Sequence, residues 1–213
     1  PYTTLFRSGK HHGEDETSRE LGIKIVERIR EYCDRLTEET RLNWSCYATP
    51  AEGLSGKFIK QDKKAFGIIK GVTDKDYYTN SYHVPVYCPI SIKNKIDIEA
   101  PYHKLCNGGH ISYIEVDDCP NAETIMKIVN YAYKETNISY MGINFHIRYC
   151  KNCGTYLHNN ECKCTKCGCQ DIQGISRVTG YLSLDERFGP GKYEEREDRR
   201  SHLEGNKKAY HCV

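Results

Sequence analysis

Two cysteine knuckles of one form fix the character of the chain's C-terminal third. Cys150-Lys151-Asn152-Cys153-Gly154 and Cys164-Thr165-Lys166-Cys167-Gly168 each read C-x-x-C-G, with ten residues between Cys153 and Cys164. Each knuckle can aim two thiolates at one point. The glycine allows the tight turn that turns backbone N–H groups toward sulfur. Four thiolates in tetrahedral array suit Zn²⁺, and a closed shell of protein ligands implies a structural role. The alternative is reduced, unliganded or paired thiols. Cys162 and Cys169 leave Cys162/Cys167 and Cys164/Cys169 open as other registers, but only Cys164/Cys167 repeats the first knuckle's form. So small a ribbon cannot bury a core, and metal binding supplies its folding energy.

Cysteine usage elsewhere agrees. Twelve cysteines in 213 residues fall short of the ~8–10% of a secreted disulfide scaffold, and no signal peptide opens the chain. A cytoplasmic setting is expected. Mean hydropathy is −0.72, and no apolar run approaches the ~18 residues of a membrane span. A net charge of +2 excludes a broad polyanion-binding surface. The first residue is Pro1, not Met, and Pro1–Lys10 shows no periodicity and leads into no element. The chain is therefore expected to be the C-terminal piece of a longer protein, with residues 1–17 a disordered or non-native lead.

Between lead and knuckles the pattern is α/β. Thr17-Ser18-Arg19-Glu20 reads as a capping box, and Leu21, Ile25, Ile29, Cys33 and Leu36 give one apolar helix face that fades near Thr40. Trp44–Tyr47 has strand length and runs into Thr49-Pro50-Ala51-Glu52, a second capping box with Pro at its first helical position. Ile68 and Ile69, between Gly67 and Gly71, form a short element or turn. Ser81–Tyr87 reads as an edge strand because of Pro85. Gly108-Gly109 marks a turn, and Ile111–Val116 a buried strand. Asn121 caps a helix to about Lys134, with Ile125, Ile128, Val129 and Ala132 on one face, and Ser139–Tyr149 reads as the next strand. Strand, helix, strand predicts a parallel βαβ unit. The mixed charges of Asp185–Arg200 read as a solvated loop or helix face.

Other residues carry weaker signals. Arg177-Val178-Thr179-Gly180-Tyr181-Leu182 taken alone is a turn or a close packing contact. The junction at Thr49–Glu52 opens a helix whose free N–H groups can hold a phosphate, with Ala51 and Gly53 small and Ser55 adding a hydroxyl. An ordinary capped helix explains the same residues. Tyr47 ends the preceding strand and reads equally as a core tyrosine. His83 and His110 read as satisfied polar groups that fix loops.

Taken together, residues 18–203 resemble the C-terminal part of the anaerobic (class III) ribonucleoside-triphosphate reductases. The resemblance is carried by Tyr47–Glu52, Phe66–Asp74, Tyr78–His83, Gly108–Glu115, the paired knuckles, Arg177–Leu182, Arg187-Phe188 and Gly191-Lys192, in that order. It implies the C-terminal part of a ten-stranded α/β barrel of the glycyl-radical enzyme type at 18–149. A zinc ribbon at 150–170 and a radical loop and tail at 171–213 would follow.

The resemblance further implies that Gly180 carries a stable backbone radical. A radical on Cα spreads over the flanking amides only if the centre is planar, and glycine has no Cβ to oppose that or block access. A separate iron–sulfur, S-adenosylmethionine-dependent enzyme would install it. A facing cysteine would take it up, abstract the ribose 3′ hydrogen and let the 2′ hydroxyl leave as water. By the same resemblance, Thr49, Ala51, Gly53 and Ser55 would receive the phosphates of a ribonucleoside triphosphate, with Tyr47 beside the substrate. Nucleotide effectors and a homodimer belong to the full-length protein. Thr179 stands where many of the family have Cys. None of Cys33, Cys46, Cys88, Cys106 or Cys119 sits in the context of the family's thiyl cysteine, which lies upstream, so the chain alone is expected to be inactive. Two alternatives remain: another glycyl-radical enzyme of pyruvate formate-lyase type, which lacks the ribbon, and a zinc-ribbon nucleic-acid-binding module, which the low net charge disfavours.

Overall fold

The computed structural model describes residues 2–48, 52–158, 161–203 and 207–209. The lead is helical rather than unstructured. Helix α1 (Tyr2–Ser8) packs on the long α2 (Glu16–Thr40), and the Ser8 and Ser18 hydroxyls meet at 2.7 Å. That contact explains why α2 is not capped by its Thr17 box. Ser18 is buried against α1, and Asp15 caps instead, its carboxylate accepting the Ser18 N–H at 3.1 Å.

Trp44–Tyr47 forms no strand. Its backbone bonds go to the Gly108-Gly109 turn, with Gly108 N–H donating to Cys46 O and Ala48 N–H to Gly109 O, leaving one parallel bridge, Tyr47 to Gly109. Glu52–Gly56 is a 3₁₀ turn, not the start of an α-helix, and α3 (Ile59–Phe66) follows. Gly67 ends α3, and Ile68 and Ile69 lie in the turn beyond. Ser81–Tyr87 is likewise no strand: Ser81 takes φ 52°, and turns close at His83 N to Asn80 O and Cys88 N to Pro85 O.

Helix α4 (Ile92–Leu105), capped by Ser91, leads to the core. Strand β1 (Ser112–Glu115), buried at every residue, pairs in parallel with β2 (Met141–Asn144), and α5 (Ala122–Glu135) makes the crossover. Asn121 caps α5 as its sequence predicts, accepting from Thr124 N–H. Ile96, Ala100, Ile114, Val116, Ile128, Ala132 and Ile138 form the core between α4, α5 and this pair. The α/β class and the parallel unit are therefore as expected.

The run Ser139–Tyr149 is two strands, not one. β2 ends at Asn144, and β3 (Ile147–Cys150) joins a separate antiparallel sheet of order β4-β3-β5-β6, with β4 Tyr156–Leu157, β5 Ile172–Arg177 and β6 Leu182–Leu184. Asp185–Arg187 forms a 3₁₀ turn, and α6 spans Pro190–Asp198. This charged segment is not a solvated face: Lys192, Glu195, Arg196 and Arg199 are buried. The start of α6 lies against the 3₁₀ turn at Glu52–Gly56 through glycine backbones. A Cβ on Gly56 would stand 3.1 Å from Gly191 Cα and 3.2 Å from Asp76 O. No helix among the described residues is long and apolar enough to cross a membrane.

Candidate functional site

The four-stranded antiparallel sheet has a cysteine cluster at one end and the Gly180 loop at the other. Cys150, the last residue of β3, pairs with Ile172, the first of β5. Five residue steps along β5, about 17 Å at ~3.4 Å each, lead to Arg177, where the chain turns through Val178–Tyr181 into β6.

At the first end, Cys150, Cys153, Cys164 and Cys167 bring one sulfur each within 4.8 Å of one another. Cys150 and Cys167 Sγ stand 3.6 Å apart, and Cys153 and Cys164 Sγ 3.5 Å. Tetrahedral Zn–S bonds of ~2.3 Å put neighbouring sulfurs about 3.8 Å apart, so the group is sized for one such ion. The two knuckles are copies: Gly154 N–H donates to Cys150 O and Gly168 N–H to Cys164 O, both at 2.8 Å, with φ 68° and 72°. Those left-handed values require glycine, which accounts for the repeated C-x-x-C-G form. Of the possible registers the structure forms Cys164/Cys167. Cys162 and Cys169 fall outside the cluster, and Cys169 Sγ accepts the Asp171 N–H instead.

At the other end, Gly180 is exposed while Val178 and Thr179 before it are buried. Val178 N–H donates to Tyr181 O at 2.9 Å and closes the loop. Gly180 is not among the described glycines with left-handed φ, so turn geometry does not account for a glycine there. Thr179 O accepts the Tyr113 hydroxyl at 2.5 Å and Arg177 Nη1 at 3.4 Å, and Val178 O accepts Arg199 Nη2 at 3.4 Å. Lys192 Nζ reaches Thr179 Oγ1 at 3.3 Å. Two buried carboxylates face Lys192 and Arg199. Glu195 takes Lys192 at 2.6 Å and Arg199 at 3.4 Å, and Glu115 lies 4.0 Å from Arg199 Nε and accepts Asn144 Nδ2 at 2.7 Å. Burial pushes the Glu115 carboxyl up, against Arg199 and Asn144, which favour its charge. Beneath β5, Asp185 accepts from Ser176 at 2.6 Å and Arg196 at 3.0 Å and pairs with His146 at 2.5 Å. Burial opposes its charge, but these partners hold its carboxyl below the ordinary range. Composition hid this network, since paired internal charges and solvated ones look alike in sequence.

Tyr47 is 58% exposed, at the bridge to Gly109. It meets the chain just ahead of β1, whereas the Gly180 loop meets Tyr113 within β1. Thr49 and Ala51 of the predicted phosphate junction lie outside the described residues. Gly53 falls in the 3₁₀ turn, and Ser55 is 2% exposed, its carbonyl accepting Tyr78 N–H at 2.8 Å. His83 and His110 are buried and stacked, 5.4 Å between centroids, and with Glu99 they form a second group within ligand distance. Lys95 already pairs with Glu99 there, and its ammonium opposes a further cation.

Known proteins resemble this chain in sequence and in fold. A family model described as anaerobic ribonucleoside-triphosphate reductase matches residues 2–202. The chain is 41% identical over 206 residues to the anaerobic ribonucleoside-triphosphate reductase of Escherichia coli (strain K12), covering 92% of this chain and 28% of that protein. It is 37% identical over 196 residues to the enzyme of that name from Enterobacteria phage T4, covering 88% of this chain and 32% of that one. The chain thus spans about a third or less of the relatives it matches. In fold it is similar to a solved anaerobic ribonucleotide reductase at TM-score 0.73 and 21% identity, over 87% of this chain and 29% of that one. It is also similar to the Thermotoga maritima enzyme in complex with dATP and CTP, at TM-score 0.67 and 21% identity, over 84% and 28%.

Proposed function

The chain belongs to the anaerobic ribonucleoside-triphosphate reductase family, and on that basis we propose that it forms the radical-bearing part of an enzyme reducing ribonucleoside triphosphates to 2′-deoxyribonucleoside triphosphates. The alternatives of a pyruvate formate-lyase relative and a nucleic-acid-binding ribbon fall away with that membership.

The observation that carries the reading is the Gly180 loop. An exposed glycine without left-handed φ follows two buried residues whose carbonyls are pinned. A hydrogen atom leaves Gly180 Cα to an S-adenosylmethionine-dependent iron–sulfur activating enzyme. The open face of Gly180 gives that partner access, and a cysteine elsewhere in the intact protein takes up the radical. The resulting thiyl abstracts the ribose 3′ hydrogen. The 2′ hydroxyl leaves as water, two electrons and two protons come from an external donor, and the 3′ hydrogen is returned. Within this chain, Tyr47 lies beside the substrate, and Thr49, Ala51, Gly53 and Ser55 form the phosphate end. Cys150, Cys153, Cys164 and Cys167 hold a structural Zn²⁺ that locks the far end of β3 and β5. By likeness to the Thermotoga maritima enzyme, the intact protein takes nucleotides as both substrate and effector; it works as a cytoplasmic homodimer.

The test is an anaerobic electron paramagnetic resonance spectrum of the full-length protein after activation. A glycyl doublet is expected, absent in Gly180→Ala, with backbone cleavage at 180 on exposure to air. Because φ at 180 is not left-handed, the alanine variant is expected to fold. An activated wild-type protein that is silent and survives air uncut refutes the reading.

A further inference from the structure

We propose that Tyr113 is a positioning residue for the radical-bearing peptide, its phenol fixing the plane of the Thr179–Gly180 amide; this rests on Gly180 being the radical site. The peptide unit is planar, so Thr179 O and Gly180 Cα lie in one rigid plane. Whatever holds that oxygen sets where the Cα points. The Tyr113 hydroxyl donates to it at 2.5 Å.

Three features commit Tyr113 to this bond. Its ring is buried on β1, a strand buried at every residue. Arg177 lies over the ring at 4.8 Å and reaches the same oxygen, so both donors approach Thr179 O as one unit. Their seat is cleared by Gly142, the β-ladder partner of Tyr113. A Cβ at 142 would stand 3.2 Å from Tyr113 Cδ1 and 3.3 Å from Arg177 Nη2. Burial raises the Tyr113 phenol above its ordinary range, so the hydroxyl stays protonated and donates.

The chemistry needs such a hold. Glycine is the residue least restrained by its own sterics, and the unpaired electron is shared across the amides only while they stay coplanar with Cα. A pinned oxygen keeps the planes aligned and the Cα at a constant distance from the thiol it exchanges hydrogen with. The same bond draws the amide nitrogen's lone pair toward oxygen and away from Cα, so it tunes as well as places the radical.

The experiment uses the full-length protein, activated without air. The Tyr113 hydroxyl proton lies on the order of 4 Å from Gly180 Cα. After exchange into D₂O, electron–nuclear double resonance on the wild-type radical is expected to show that deuteron, and Tyr113→Phe to lose it. The variant's doublet splitting is expected to narrow. Its turnover should fall on the order of tenfold with KM for nucleotides unchanged. An unchanged deuteron set, or turnover within twofold of wild type, overturns the proposal. Should the phenylalanine variant not fold, 3-fluorotyrosine at 113 keeps both packing and hydrogen bond. Its fluorine is then expected to couple to the radical, and no coupling overturns the proposal. A wild-type doublet with negative Tyr113 results refutes this inference alone; a wild type with no doublet refutes the Gly180 reading beneath it.

Discussion

Mild acid is expected to unfold this chain before its carboxylates titrate, because four histidines are buried as neutral rings. His12, His110 and His202 are pushed down to about 3 and His103 to about 4, in each case chiefly by burial. His202 shows why. Its Nδ1 accepts the Glu115 N–H at 3.0 Å, so a proton there would break a buried bond. Around His110, His83, His103 and Lys95 oppose protonation and only Glu99 favours it. In the unfolded chain all four return to an ordinary value near 6.5. The unfolded state then binds more protons between about pH 6.5 and the folded values of about 3–4, so stability is intact above that window and falls as pH drops through it. At pH 5.5 an unfolded histidine is about ten-elevenths protonated, worth about 1.4 kcal/mol, and four such groups cost about 6 kcal/mol. Whole domains hold only about 5–15 kcal/mol. Urea unfolding followed by circular dichroism at pH 7.5, 6.5 and 5.5 measures the loss, with bound zinc assayed in parallel so that ribbon opening is counted separately. His202→Gln should remove about a quarter of it. Stability at pH 5.5 within about 1 kcal/mol of that at pH 7.5 would refute the reasoning.

Two further outcomes follow from the site. Cys164→Ser should bring bound zinc below one per chain and make the ribbon protease-sensitive, a loss on the order of several kcal/mol of local folding energy; undiminished zinc would show that another cysteine serves. Lys192→Met leaves Glu195 buried with one partner fewer and should cost about 3–5 kcal/mol in urea unfolding, whereas pairing it with Glu195→Met should recover most of that; a double variant as unstable as the single would mean the pair is not the relevant unit.

What could be read in the sequence was whatever local chemistry decides. Helix α5 shows its Asn121 cap and apolar face, β1 its Ile111, Tyr113, Ile114 and Val116 within one strand length, and the knuckles their glycines. The misreadings fall where tertiary partners decide. Helix α4 was missed because Lys95 and Glu99, polar by composition, are buried as a pair inside it, and Pro101 interrupts its pattern. The run through Asn144 and His146 looked like one strand, yet those side chains turn to Glu115 and Asp185, on either side of the change of sheet. The Thr17 box lost to Asp15 because Ser18 was needed against α1. At the site, Gly180 and the four cysteines were legible as motifs. The roles of Tyr113, Arg177, Lys192 and Arg199 were not, because they depend on three elements converging on the Val178 and Thr179 carbonyls and the Thr179 hydroxyl.

That convergence gives the ribbon and the ion network a common purpose. Both act on β5, which is paired on each side, by β3 and by β6. The cysteine cluster holds its first residue through Cys150. Asp185, by way of Ser176, holds it near the other end, and Tyr113, Lys192 and Arg199 hold the two residues beyond. Restraint therefore runs along β5 from the cysteine cluster to Thr179, and Gly180 is the first exposed residue beyond it. A free glycine loses the most conformational entropy on ordering, so an unsupported tip would sample many orientations. A tip anchored along its whole approach samples few, while its outer face stays open to a reacting partner. Loosening any of these anchors is thus expected to widen the orientations open to Gly180 before it unfolds the sheet.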